Sequence, residues 1–180
     1  ACKGATSDAA KAYLYGLLGH YCLDSTCHPF VNQLARIGEA RHVPLESEFE
    51  RFLLVLDKEA SPNTFDMGRH LRLTRGECMT VASFYPGTTG GKVFRSIRSM
   101  AFLTGVLAHP GNGPFLQKWI PGLWEHSIPA QENPDLAPYI GELHDLYGQA
   151  LERYPAMLSQ LRNHLKTGAE FGLDFAPDFG

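Results

Sequence analysis

The order of apolar and polar positions predicts a chain built from helices. Apolar residues follow helical spacing in several segments, and no alternating strand pattern is longer than a few residues. An apolar helix is predicted around residues 16–30, and a second helix runs from about 44 to 58, with Pro44 in its first turn. The predicted buried side of this second helix consists of Phe49, Phe52, Leu53 and Leu56.

Further helices are predicted towards the C-terminus. A broad apolar stripe from residue 92 to about 108 predicts a core helix, which carries Val93, Ile97, Met100, Ala101, Leu103 and Val106. Residues 134–153 and 155–167 predict two more helices, because Pro155 suits the start of a helix better than its interior. We therefore expect an all-α fold, with residues 1–180 forming a single helical domain.

The sequence allows two interpretations for each of two segments between these helices. The stretch between the second helix and residue 92 is rich in Gly, Thr and Pro and is predicted to be a long loop, either a rim over a site or a solvated surface. Residues 115–124 concentrate aromatic side chains that either form core or a partner interface, or else grip acyl chains or bases.

Composition excludes some classes of function. The chain has 44% apolar and 19% charged residues, which is ordinary for a globular protein. A net charge of −3 gives no electrostatic footprint for duplex DNA or an anionic membrane surface. No apolar run reaches the length of a transmembrane helix, and the cellular location stays open. The four cysteines, which are Cys2, Cys22, Cys27 and Cys78, are too few and too irregularly spaced to impose a disulfide scaffold. Cys22 and Cys27 are interpreted as small buried residues, with zinc ligation or a disulfide as alternatives.

Three potential metal ligands follow one face of the first predicted helix. His20, Asp24 and His28 are four residues apart, so they lie within about 80° of one another around the helix axis. His20 and His28 are roughly 12 Å apart along that axis, too far for both to bind one zinc through bonds of about 2.0–2.2 Å. If the row binds metal, it indicates more than one ion, with Asp24 placed to bridge. The alternative is the polar stripe of an ordinary amphipathic helix.

His42 and Glu46 add a second pair of potential ligands at the same spacing. His42 is predicted to lie just before the second helix. Histidine nitrogens and carboxylate oxygens without thiolate form a ligand set that zinc accepts. His28, His42 and Glu46 together supply three ligands and leave a fourth position for water, which is the open coordination of a catalytic zinc.

The segments GHYCLDSTCHPF and RHVPLESEFERFLL resemble the zinc-dependent phospholipase C family, which is related to the P1-type nucleases. The resemblance extends over roughly residues 8 to 58 and implies a helical bundle with long irregular loops that holds one to three zinc ions. It implies that His20 and Asp24 serve a closely paired zinc site, whereas His28, His42 and Glu46 form a more separated one. Asp24 and Glu46 are the predicted catalytic carboxylates.

The chain departs from the family pattern in two places. The spacing from Asp24 to His28 is shorter than in the best-known secreted members. The family also takes ligands from a long segment before the first helix, whereas only 19 residues precede His20 here and none of them is a histidine. We expect either that an N-terminal segment of the family domain is missing from this sequence or that the zinc cluster is incomplete.

These features predict a metal-dependent hydrolase of phosphoester bonds in which zinc-activated water is the nucleophile. The expected substrate is a small molecule or a phospholipid and not duplex nucleic acid. Arg41, Arg69 and Arg72 are candidates to neutralise the phosphate. The alternative is a non-catalytic helical binding or assembly domain that retains a partial metal site.

Overall fold

The computed structural model describes residues 7–58 and 61–170, and every regular element within them is helical. The α-helices are α1 (Asp8–Ile37), α2 (His42–Leu56), α3 (Arg75–Ala82), α4 (Gly90–Ala108), α5 (Gly113–Trp119), α6 (Pro121–Trp124) and α7 (Ala137–Thr167). Short 3-10 segments are Pro62–Thr64, Met67–His70 and Pro110–Asn112. The all-α prediction is confirmed for these residues. None of the described helices combines the length and apolar character needed to cross a membrane.

The two longest helices, α1 and α7, pack against each other in opposite directions and divide the core into two clusters. One cluster joins the first half of α1 to the middle and the second half of α7 through Leu14, Leu18, Cys22, Ala150, Met157 and Leu161. The other joins the second half of α1 to α2 and the first half of α7 through Val31, Leu34, Ala40, Leu45, Leu136, Ile140 and Leu143. Tyr154 on α7 also donates a hydrogen bond of 3.0 Å to the Tyr15 carbonyl on α1.

Local sequence defines both ends of α1. The Ser7 hydroxyl accepts a hydrogen bond from the Ala10 amide at 3.2 Å, which caps the first turn. The helix ends at Gly38, whose φ of 79° is the left-handed conformation that glycine adopts without strain. Only four residues then separate α1 from α2. This short connection brings the start of α2 back against the second half of α1, where His28 lies.

The start and the buried face of α2 differ from the sequence prediction. The helix begins at His42, with Arg41 as its N-cap, so His42 belongs to the first turn. Its buried residues are Leu45, Ser47, Glu48 and Arg51. Phe49 and Phe52 are only partly buried and Leu56 is exposed. The buried face of α2 differs from the predicted one because α2 contacts α1, α7 and the segment Pro62–Thr64, and so has neighbours on more than one side.

The predicted break at Pro155 is wrong. Residues 137–167 form one continuous helix with Pro155 inside it. Ala150 on one side of the proline and Met157 and Leu161 on the other all pack against α1. This packing keeps α7 continuous although proline removes one backbone hydrogen bond.

The prediction that α4 is a core helix is also wrong. None of its residues is fully buried, and Met100, Phe102 and Leu103 are exposed. One side of α4 packs on α3 and on the segment Met67–His70, where Gly68 comes so close that an added Cβ atom would lie 2.8 Å from the Ala101 carbonyl oxygen. The predicted loop before α4 therefore contains α3 and two 3-10 segments, and part of it supports α4.

Candidate metal centre

Three of the predicted ligands converge where α1 meets α2. His28 Nε2 lies 3.5 Å from Glu46 Oε1, and His42 Nε2 lies 3.0 Å from the same oxygen. The His28 and His42 rings meet edge to face with centroids 5.2 Å apart. One ligand atom from each of His28, His42 and Glu46 lies within 4.8 Å of the other two. Residues from two helices therefore offer two nitrogens and one carboxylate oxygen to a common point.

These distances suit zinc. Four ligands in tetrahedral positions at zinc bond lengths lie about 3.3 Å from one another. The distances from Glu46 Oε1 to the two histidine nitrogens, 3.5 and 3.0 Å, fall on either side of that value. Two imidazoles and one carboxylate also leave a fourth tetrahedral position for water or substrate. The residues present thus fit a zinc ion.

The start of α2 explains why His42 and Glu46 face each other. Both lie in the first turns of α2 at positions i and i+4, which share a helix face. Helical geometry alone thus sets the contact between Glu46 Oε1 and His42. The tertiary contact of α1 with α2 then adds His28 to the pair.

His20 and Asp24 do not complete a second centre among the described residues. Asp24 Oδ2 lies 3.1 Å from His20 Nε2, and Asp24 Oδ1 lies 3.7 Å from His28 Nε2. The side chain of His20 is 71% exposed, whereas that of Asp24 is 20% exposed. Among the described residues, no third potential ligand lies close enough to His20 and Asp24 to form a metal site with them. The paired zinc site that the family resemblance implies therefore stays a prediction. Asp24 lies between His20 and His28.

A pocket of about 330 Å³ opens beside these ligands. Asp24, His28 and Glu46 line it together with apolar and aromatic side chains, which are Leu23, Cys27, Val31, Phe49, Leu143 and Tyr147. Glu50 completes the lining. Desolvation by the pocket walls and the Glu46 carboxylate raise the pKa of the Glu50 carboxyl. The pocket is thus acidic in its polar part, which favours a cation.

Sequence reasoning missed Glu50. The residue continues the series His42 and Glu46 by one more helical turn, so the four-residue spacing was available to find it. Leu143 and Tyr147 had no such signal, because α7 approaches the pocket only through the tertiary fold.

The predicted phosphate-binding arginines are not at this pocket. The Arg41 guanidinium forms an ion pair of 2.7 Å with Glu125. Arg69 and Arg72 are exposed residues in and just after the segment Met67–His70, and neither lines the pocket. The positions of these arginines therefore do not support their predicted role in neutralising the phosphate of the substrate.

The described cysteines are free thiols. Cys22 is buried and donates a hydrogen bond of 3.1 Å from its Sγ to the Ala150 carbonyl. Burial raises the pKa of the Cys27 thiol, and the Asp24 carboxylate raises it further, which disfavours the thiolate that zinc requires. Cys2 lies outside the described residues.

The chain was compared with protein-family models, with curated proteins and with solved structures. None of the three comparisons gives a match.

Proposed function

We propose that this protein is a metal-dependent hydrolase of phosphoester bonds, with one zinc held by His28, His42 and Glu46. The observation that carries the proposal is the convergence of these three ligands from α1 and α2 at distances that suit zinc. A zinc ion with an open position lowers the pKa of a bound water to about 7 and polarises a phosphoryl oxygen. The choice of phosphoesters rests on the resemblance of the two motifs to the phospholipase C family.

The residues of the chain have separate roles in this proposal. His28 and His42 hold the ion through nitrogen, and Glu46 supplies the anionic ligand. Asp24 lines the same pocket, and its Oδ1 atom lies 3.7 Å from His28 Nε2. It is therefore placed to accept a proton from a group bound in the pocket. The apolar walls formed by Phe49 and Tyr147 restrict water and admit an organic part of the substrate.

One observation favours a non-catalytic domain as the second candidate. Among the described residues that line the pocket there is no lysine or arginine, and Arg41 is engaged by Glu125. A phosphoester hydrolase usually stabilises the transition-state charge with such a cation or with further metal ions. A helical binding domain that uses zinc only to fasten α1 to α2 needs neither.

The first test is the metal content of the purified chain by plasma mass spectrometry. We expect about one zinc per chain, lost in His28→Ala and kept in His20→Ala, because only His28 belongs to the three-ligand set. His70→Ala, an exposed histidine elsewhere in the chain, is the matched control. An absence of zinc after zinc is added back would overturn the proposal.

The second test separates the two candidates. Zinc-loaded protein is assayed with bis(p-nitrophenyl) phosphate and with a short-chain phosphatidylcholine. If the protein is a hydrolase, we expect turnover to fall about 100-fold or more in His28→Ala and in Asp24→Asn. Asp24→Asn should still bind zinc. If the protein binds one zinc per chain but hydrolyses neither ester, the metal centre has a structural role and the non-catalytic binding domain is the supported candidate.

A further inference from the structure

The net charge of the whole chain is small, but one segment of the chain is positively charged. Residues 78–124 contain Lys92, Arg95, Arg98 and Lys118 and not a single Asp or Glu. The other 133 residues carry twelve Lys and Arg against nineteen Asp and Glu. The chain therefore has opposite charge on two parts of its sequence, and the positive part comprises the end of α3, α4, α5 and α6.

The same segment concentrates exposed apolar side chains. Of the fourteen large apolar residues that are exposed in the described chain, eight lie in it: Met79, Tyr85, Met100, Phe102, Leu103, Phe115, Trp119 and Ile120. Phe102 is 70% exposed and Trp119 is 66% exposed. Aromatic residues of this size are rarely left so open on a surface that meets only water.

Cations and apolar groups share one face of α4. Its packed side meets α3 and the segment Met67–His70. The exposed face spans an arc of about 200° around the helix axis, and Arg95, Arg98 and Phe102 are neighbours on it. Leu103 and Met100 continue the arc on the other side of Lys92. The face is thus mixed and carries no negative charge.

A similar pairing occurs on α5. Phe115 and Trp119 are four residues apart and so lie on one helix face. The Lys118 ammonium lies 5.1 Å from the centroid of the Trp119 ring. A cation beside an exposed indole therefore repeats the arrangement seen on α4.

We propose that this surface docks the protein onto an anionic lipid bilayer. The docking surface is defined as the exposed face of α4, with the side chains of Lys92, Arg95, Arg98, Met100, Phe102 and Leu103. The exposed side chains of α5 offer a second group of the same chemistry. Exposed aromatic and aliphatic side chains enter the boundary between headgroups and acyl chains, while Lys and Arg stay at the lipid phosphates. Each cation near an anionic bilayer adds to binding. The proposal is independent of the metal centre and of hydrolysis.

Charge argues against a second copy of the chain as the occupant. A two-fold symmetric pairing of this surface places the arginines of both copies together, and the segment offers no acidic residue to neutralise them. A pairing with the acidic part of another copy is head-to-tail and leaves the assembly open at its ends. A bilayer neutralises the cations and buries the aromatic side chains at once.

The test is flotation of the full chain with vesicles of phosphatidylcholine, with or without added phosphatidylserine. We expect binding to the anionic vesicles, weaker at high salt. Phe102→Ser and the double variant Arg95→Gln/Arg98→Gln are each expected to bind about tenfold more weakly. The controls are Leu151→Ser, which changes an exposed apolar residue of α7, and Arg36→Gln/Lys166→Gln, which removes two exposed cations outside the segment. Circular dichroism of each variant checks that it is folded.

Three outcomes overturn the proposal. The first is no binding to either kind of vesicle. The second is binding that both control variants weaken as much as the surface variants do. The third is a concentration-dependent dimer in sedimentation analysis that Phe102→Ser dissolves, which would assign the surface to contact between copies.

Discussion

At the scale of single residues, the most unusual feature outside the metal centre is a buried ion pair on α2. The Arg51 Nε and Nη2 atoms both reach Glu48 Oε1, at 2.7 and 2.6 Å. Glu48 is fully buried and its Oε2 atom has no described hydrogen-bond partner. The carboxylate thus depends on Arg51 for compensation of its charge.

Removing Arg51 should therefore be costly. We expect Arg51→Met to lower the free energy of unfolding by about 3–5 kcal/mol, because it leaves an uncompensated charge in the interior. The double variant Glu48→Leu/Arg51→Met should recover most of that loss, since it removes both charges and keeps the apolar volume. Urea denaturation of the three proteins checks this. Equal losses in the single and the double variant would show that packing, and not charge, sets the effect.

The candidate ligands were predictable from sequence as far as helical spacing reaches. His42 and Glu46 face each other because both belong to α2, and a four-residue interval is sufficient to predict that. The approach of His28 to this pair depends on the connection at Gly38 and on how α2 packs on α1. Arg41 shows what local sequence cannot predict. Its partner Glu125 is 84 positions away in the chain, and no local pattern links the two residues.

At the scale of elements, α7 shows how tertiary packing overrides a local signal. A proline at position 155 is compatible with a new helix, and only the contacts with α1 on both sides of it keep α7 continuous. The error on α4 has a different cause. Its periodicity correctly indicated an apolar stripe, and Val93, Ile97 and Ala101 in that stripe are half-buried. Periodicity does not state how completely neighbouring elements cover the stripe.

The continuity of α7 leads to a prediction about Pro155. If the proline lies inside a helix, Pro155→Ala restores the hydrogen bond to the Leu151 carbonyl and should stabilise the protein by about 1–2 kcal/mol. Pro138, in the first turn of α7, is the matched control, and Pro138→Ala should be neutral or slightly destabilising. Both values come from thermal unfolding. The same small effect at both positions would mean that a helix starts at Pro155.

At the scale of the whole molecule, the candidate metal centre lies where two helices meet. α1 contributes His28, and α2 contributes His42 and Glu46. α1 and α2 also share one core cluster with α7. A metal bound at this point therefore holds together elements that apolar packing already brings into contact, and ligand affinity becomes linked to the stability of the fold.

This linkage gives a prediction that does not depend on any enzymatic activity. At a free zinc concentration 100 times the dissociation constant, binding to the folded state alone adds about 2.7 kcal/mol to the free energy of unfolding. For a chain of this size that corresponds to a rise in melting temperature of about 5–10 °C. The rise should be absent in His28→Ala and present in His20→Ala, because His20 is outside the three-ligand set. Differential scanning calorimetry with and without zinc measures it. A rise of the same size in both variants would place the bound zinc away from the contact between α1 and α2.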